Sequence, residues 1–206
     1  MRGRRNPFVA REGIPLLALV LVAGWLTLRF AEPVWVLLPA LAVVLLYLVF
    51  RDPHRAIPPA PLGVVSPVDG KVVSVDVAEE KPFDGSARSI VFRIDSLGTY
   101  TARSPVEGTI RDLDGADSAV GRSSNALWLE TDEGDHVVLR FDGYRFGIPP
   151  KSIARYGERL GQGQRCAYLR LTRYAELHLP KASRILVEPG QRVHAGSELV
   201  AHLPPP

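Results

Sequence analysis

Two acids occupy matching places in two similar runs. Val65–Val75 reads VSPVDGKVVSV and Arg103–Leu113 reads RSPVEGTIRDL, so Asp69 and Glu107 both sit between a Ser-Pro-Val and a glycine. A carboxylate there can serve as an acid–base group or can simply shape the turn, and both readings stand for Asp69. Cys166 is the single cysteine, which excludes an internal disulfide and fits a reducing compartment. As a nucleophile it competes with its role as a small apolar filler. His136, His178 and His194 are scattered without metal-ligand spacing, so they read as surface histidines and no metal is expected. Lys71, Lys81, Lys151 and Lys181 are the lysines that a carrier domain could modify.

These residues must be held by short β-type segments. The S-P-V-acid-G core is a turn signal, and the residues after it alternate as a strand does. A second pair of runs follows: Gly157–Cys166 matches Gly190–Leu199, each with glycines six apart and an apolar residue midway. Glycine supplies the positive φ that tight turns need. The repeats predict a duplicated β sandwich or barrel, each half pairing one S-P-V-acid-G strand with one glycine hairpin. Its turns resemble those of lipoyl and biotinyl carrier domains, but none of the lysines stands at a hairpin tip. Ser89–Asp95, Ala126–Thr131 and His136–Phe141 are further strands, the last two joined by a turn at 132–135. Lys151–Arg159 is the one short helix expected in this part.

Ahead of the β domain, residues 1–50 are dominated by two apolar runs, Ile14–Leu28 and Pro33–Phe50. The second would be roughly 27 Å long as a helix, about one hydrocarbon core, and the first is shorter. A membrane hairpin is expected, with Trp25, Phe30, Trp35, Tyr47 and Phe50 toward its ends. Residues 51–64 are charged and then proline-rich, which disfavours both helix and central strand and predicts a stiff strap. The β domain is taken as 65–206. Residues 1–50 carry five arginines and two glutamates, the whole formal +3, leaving 20 basic and 20 acidic side chains in the rest. The basic surplus thus flanks the membrane segment, and nucleic acid is not the expected partner. By the positive-inside rule both ends of the hairpin, and the domain, face the cytoplasm.

The ordered set of motifs (Arg11–Pro15 as REGIP, two apolar runs, RDPHRAIP from Arg51, SPVDG, and the closing glycine hairpin after Leu179-Pro180) resembles the short bacterial form of phosphatidylserine decarboxylase over nearly the whole chain. That resemblance implies a protein that converts phosphatidylserine to phosphatidylethanolamine and CO₂. Its cofactor is self-made: a serine after a glycine attacks the preceding carbonyl, the chain splits, and a pyruvoyl group remains as electron sink. A carboxylate and a histidine assist that serine. The assisting carboxylate falls on Asp69. The family block D-V-H-x-N-R-A-P falls on Gly98–Pro105, so the histidine position is Tyr100, and Arg103 is retained. The family's N-E-R is reduced to Asn125-Ala-Leu. The scission block falls on Leu169–Pro180, with Thr172 for the glycine and Arg173 for the serine that would become pyruvoyl.

Arginine has no attacking oxygen, and tyrosine, with a phenol pKa near 10, is a poor base at neutral pH. The chain therefore reads as a non-catalytic relative with no cofactor. Arg103 and Asn125, with Arg173, are expected at the old pocket, where arginine could hold a headgroup phosphate or carboxylate. The expected partners are membrane phospholipid and a second copy or an active relative. Two other readings stay open: an active decarboxylase with a displaced nucleophile (Thr172 or Cys166), and a lipoyl-like adaptor of a membrane complex. Asp69, Tyr100, Thr172 and Arg173 are expected within side-chain reach of one another.

Overall fold

The computed structural model describes residues 8–30, 32–79, 86–112, 125–144 and 148–205. Arg2, Arg4, Arg5 and Lys81 lie outside them. The chain divides into two compact units, Met1–His54 and Arg55–Pro206, so the strap from Arg55 onward belongs to the second.

In the first unit, α1 (Ile14–Phe30) continues a 3₁₀ turn at Arg11–Gly13, and α2 (Leu37–Phe50) continues another at Pro33–Val36. They form a hairpin whose open ends are tied by backbone bonds, Ala10 N–H to Phe50 O at 2.8 Å and Asp52 N–H to Phe8 O at 2.8 Å. Gly13 of the REGIP run is there because any Cβ would strike the Phe50 ring. The expected lengths are reversed. Arg11–Phe30 is a continuous helical stretch of 20 residues, long and apolar enough to cross a bilayer, whereas Val34–Phe50 is shorter. The 3₁₀ turn and Arg29–Phe30 lengthen the first helix at both ends. No residue of α1 is buried. A helix apolar on all sides and exposed is suited to lipid.

The second unit is a duplicated β fold. One sheet has eight strands in the order β13-β2-β3-β11-β7-β6-β5-β9, and two have three, β1-β14-β12 and β4-β10-β8. The strands are β1 (Gly63–Val65), β2 (Gly70–Glu79), β3 (Ser86–Ile94), β4 (Thr101–Arg103), β5 (Gly108–Asp112), β6 (Asn125–Glu130), β7 (His136–Tyr144), β8 (Lys151–Ser152), β9 (Arg159–Leu160), β10 (Arg165–Tyr168), β11 (Thr172–Pro180), β12 (Arg184–Ile185), β13 (Arg192–Val193) and β14 (Leu199–His202). Period-two alternation places Ile90, Phe92, Leu127, Leu129, Val137, Leu139, Phe141, Ala175, Leu177 and Leu179 in the core.

The two halves share their hydrogen bonds. Ser66 Oγ donates to Val68 O, and Ser104 Oγ to Val106 O. Gly196 N–H donates to Ser66 O, and Gly163 N–H to Ser104 O. Gly190 N–H meets Val72 O as Gly157 N–H meets Ile110 O. The halves then clasp each other reciprocally, Val65 N–H to Pro105 O and Arg103 N–H to Pro67 O, both 2.9 Å. The second half, 101–168, is continuous. The first half is split around it, β1–β3 before and β11–β14 after. What is a plain turn between β6 and β7 is therefore opened, between β3 and β11, into two linkers that hold the inserted half.

The expected helix at Lys151–Arg159 is absent. That stretch holds β8, a turn with Gly157 at φ +73°, and the start of β9. Its backbone bonds go to the partner segments, Ile153 N–H to Cys166 O and Gly157 N–H to Ile110 O, so tertiary pairing overrides helix propensity.

Candidate functional site

The two linkers, 95–100 and 169–171, run side by side, with Leu169 N–H donating to Tyr100 O at 2.9 Å. The turn 66–69 joins them, since Asp95 N–H donates to Asp69 O at 2.9 Å. The described end of the β7–β8 connection, 148–150, lies beside the second linker, where Arg170 donates to Pro149 O. The strand connections thus bring the Asp69, Gly98–Tyr100 and Leu169–Thr172 segments together.

Asp69 is buried, and its carboxylate receives four donors. Arg55 binds it with both terminal nitrogens, at 2.5 and 2.7 Å. Thr99 N–H donates to Oδ2 at 2.9 Å and Ala195 N–H to Oδ1 at 2.7 Å. A carboxylate offers about four lone-pair sites, so this one is filled. It staples the strap, the first linker and the second glycine hairpin. Glu107, at the same place in the other repeat, has a side chain 59% exposed and pairs with exposed Arg159, against 7% for Asp69. The repeat alone does not make the acid buried; the strap's Arg55 and the linker do. Arg55 is not among the site residues that the sequence indicates. Its spacing ahead of SPVDG, across a strap too proline-rich to fold locally, is the signal for its pairing.

Gly98 lies against this group, because a Cβ there would come within 2.7 Å of Asp69 Cβ. The Tyr100 ring is half-buried and tilts against Tyr168, centroids 5.9 Å apart. Thr172 is buried and its hydroxyl donates to Leu169 O at 2.6 Å. Arg170, two residues before Thr172, holds φ +53° without being glycine, so the turn at the would-be scission point is locally strained. Arg173 is exposed beside Gly143.

Arg103 lies in the interior of the β domain. It is only 4% exposed, donates to Gly163 O at 3.1 Å, and packs its stem where a Cβ on Gly196 would fall. It fills the space between the two facing glycine turns, while a Cβ on Gly163 would meet Ile57 of the strap. Asn125 opens β6 opposite Phe141. His178 is buried rather than on the surface. It pairs across strands with Ser89 and Val138, with Glu176 at 3.6 Å. Six residues along β11, it lies roughly 20 Å from Thr172. His136 accepts from the Trp128 indole at 3.2 Å, and exposed His194 pairs with Glu198.

Cys166 is fully buried, and burial pushes its thiol up to about 12. The thiolate is the reactive form. The folded protein is therefore expected to resist a disulfide-exchange reagent at pH 8 and to react only after denaturation. Rapid titration of the native thiol would contradict this burial.

No protein-family profile matches the chain. Whole-length relatives do. A phosphatidylserine decarboxylase proenzyme of Burkholderia pseudomallei (strain 1106a) is 33% identical over 217 aligned positions, covering 97% of each chain. Those of Burkholderia mallei (strain SAVP1) and Burkholderia cenocepacia (strain HI2424) are 32% identical, with 96–97% of this chain and 97% of each relative covered. The chain belongs to the phosphatidylserine decarboxylase family. Among solved structures, a glucose permease IIA from Mycoplasma capricolum covers 68% of this chain and 94% of its own, at 20% identity and a TM-score of 0.44.

The position expected for the scission point, Thr172–Arg173, lies where the second linker ends and the first half resumes after the inserted one.

Proposed function

We propose that this chain is a membrane-anchored phosphatidylserine decarboxylase relative that does not cut itself, carries no pyruvoyl group, and uses the retained scaffold to bind membrane phospholipid. The observation that carries this reading is Arg173 at the serine position, a side chain with no oxygen or sulfur to attack the preceding carbonyl. Three others support it. The Asp69 carboxylate is already filled by Arg55 and two backbone N–H groups. Tyr100 stands where the family has histidine. The Thr172 hydroxyl, the nearest alternative, is given to Leu169 O. The apolar hairpin anchors the domain, with the arginines of its N-terminal flank facing the cytoplasmic side of the inner membrane.

The purified full-length chain, mixed with phosphatidylserine vesicles, is expected to form phosphatidylethanolamine no faster than protein-free vesicles. It is also expected to take up no label from borohydride, which reduces a protein-bound ketone. Turnover together with labelling would overturn the proposal and return Thr172 to consideration as a displaced nucleophile.

A further inference from the structure

Arg192, Lys71 and Arg93 stand directly opposite one another on β13, β2 and β3, with Arg192 paired to Lys71 and Lys71 paired to Arg93. All three are exposed. Like charges directly opposite on neighbouring strands destabilise a sheet. The domain is formally neutral, so acids were available to break this row. No ion pair relieves it among the described residues. Tyr174 continues the row, followed by Asp142. The ladder sits one residue from the linker end, where Arg170, exposed Arg173 and exposed Lys151 add positive charge, and Asp95 opens the first linker.

A second observation is independent of charge. Three loops at this end carry an apolar residue facing water: Leu97 is 57% exposed, Ile148 41% and Leu171 38%. Each lies on a separate connection, β3–β4, β7–β8 and β10–β11. Loop tips of this kind, beside a row of cations, match a surface with negative headgroups above an apolar layer. The chain also carries, ahead of the domain, a helical stretch, Arg11–Phe30, long and apolar enough to cross a bilayer.

We propose that this end of the β domain docks onto an anionic lipid surface, the Arg192–Lys71–Arg93 ladder engaging headgroups while Leu97, Ile148 and Leu171 enter the interface. The proposal is independent of self-processing and holds for a cut or an uncut chain.

The test uses the full chain with Cys166→Ser and Leu97→Cys, labelled with an environment-sensitive fluorophore and reconstituted in lipid nanodiscs. In discs of phosphatidylcholine with phosphatidylglycerol, the label is expected to shift to the blue and to be quenched by spin-labelled lipid. In phosphatidylcholine alone it stays in water. Each cation removed should lower the docked-to-free ratio about fivefold, and Lys71→Glu with Arg93→Glu more than either alone. High salt should release the wild-type ladder without any mutation, which covers the case of a variant that misfolds. A label at exposed Tyr156→Cys, ahead of β9, should not respond. Equal burial of the Leu97→Cys label in both kinds of disc, or indifference to salt and to both charge reversals, would overturn the proposal. So would an oligonucleotide that binds this face while anionic discs leave the label in water.

Discussion

Asp69→Ala is expected to destabilise the β domain by about 3–5 kcal/mol, the usual cost of removing one partner from a buried ion pair. The mutation leaves the Arg55 guanidinium, only 16% exposed in its side chain, without its carboxylate, and removes the carboxylate acceptor of the Thr99 and Ala195 N–H groups. Each buried donor left without a partner adds its own desolvation cost. For a domain of this size the melting temperature should fall by roughly 6–20 °C. Glu107→Ala is the control. It touches the same position of the other repeat, but its ion pair with Arg159 is exposed and should be worth less than about 1 kcal/mol. Thermal or urea unfolding of the two variants, followed by intrinsic fluorescence, measures the difference. Equal small losses would mean that the Arg55–Asp69 staple contributes little.

The glycine after each acid should be as sensitive as Asp69. Gly70→Ala places a Cβ onto the carbonyl oxygen of Arg93, and Gly108→Ala places one 2.5 Å from the carbonyl oxygen of Glu130. In both cases the obstacle is the backbone of the neighbouring strand, which cannot rotate away as a side chain could. Each substitution is expected to cost more than about 3 kcal/mol and to reduce the yield of folded protein. Gly134→Ala, in the exposed β6–β7 turn, meets no atom within 4 Å and carries only the strain of φ +87°, a smaller cost. Parallel unfolding curves give the comparison. If Gly70→Ala and Gly134→Ala lose the same stability, strand approach is not why the repeat ends in glycine.

Much of the architecture could be read from residues alone, because its signals are local. Alternation in VVLRF and ELHLP marks strands, and the repeated S-P-V-acid-G and G…G runs mark two halves. The glycine of the acid–glycine pair reads as a turn residue, yet it has no positive φ and instead admits a neighbouring strand. The pairing of Arg55 with Asp69 joins a strap to a turn, and sequence spacing carries only a faint trace of it. The burial of Arg103 has a similar origin, since two hairpins 33 residues apart must fold before the slot between them exists. The Lys151–Arg159 stretch has helix-forming residues, and only the edges waiting in β10 and β5 turn it into strands. Arg173, by contrast, was legible at once, because a missing nucleophile is a matter of chemical identity and needs no coordinates.

The central claim is that the bond before Arg173 is never broken. Intact-mass spectrometry of the full-length protein, purified without reductive trapping, tests it most directly. A single chain of 22.6 kDa is the predicted result. Two fragments, the smaller beginning at residue 172 or 173 with a blocked amino end, would contradict it.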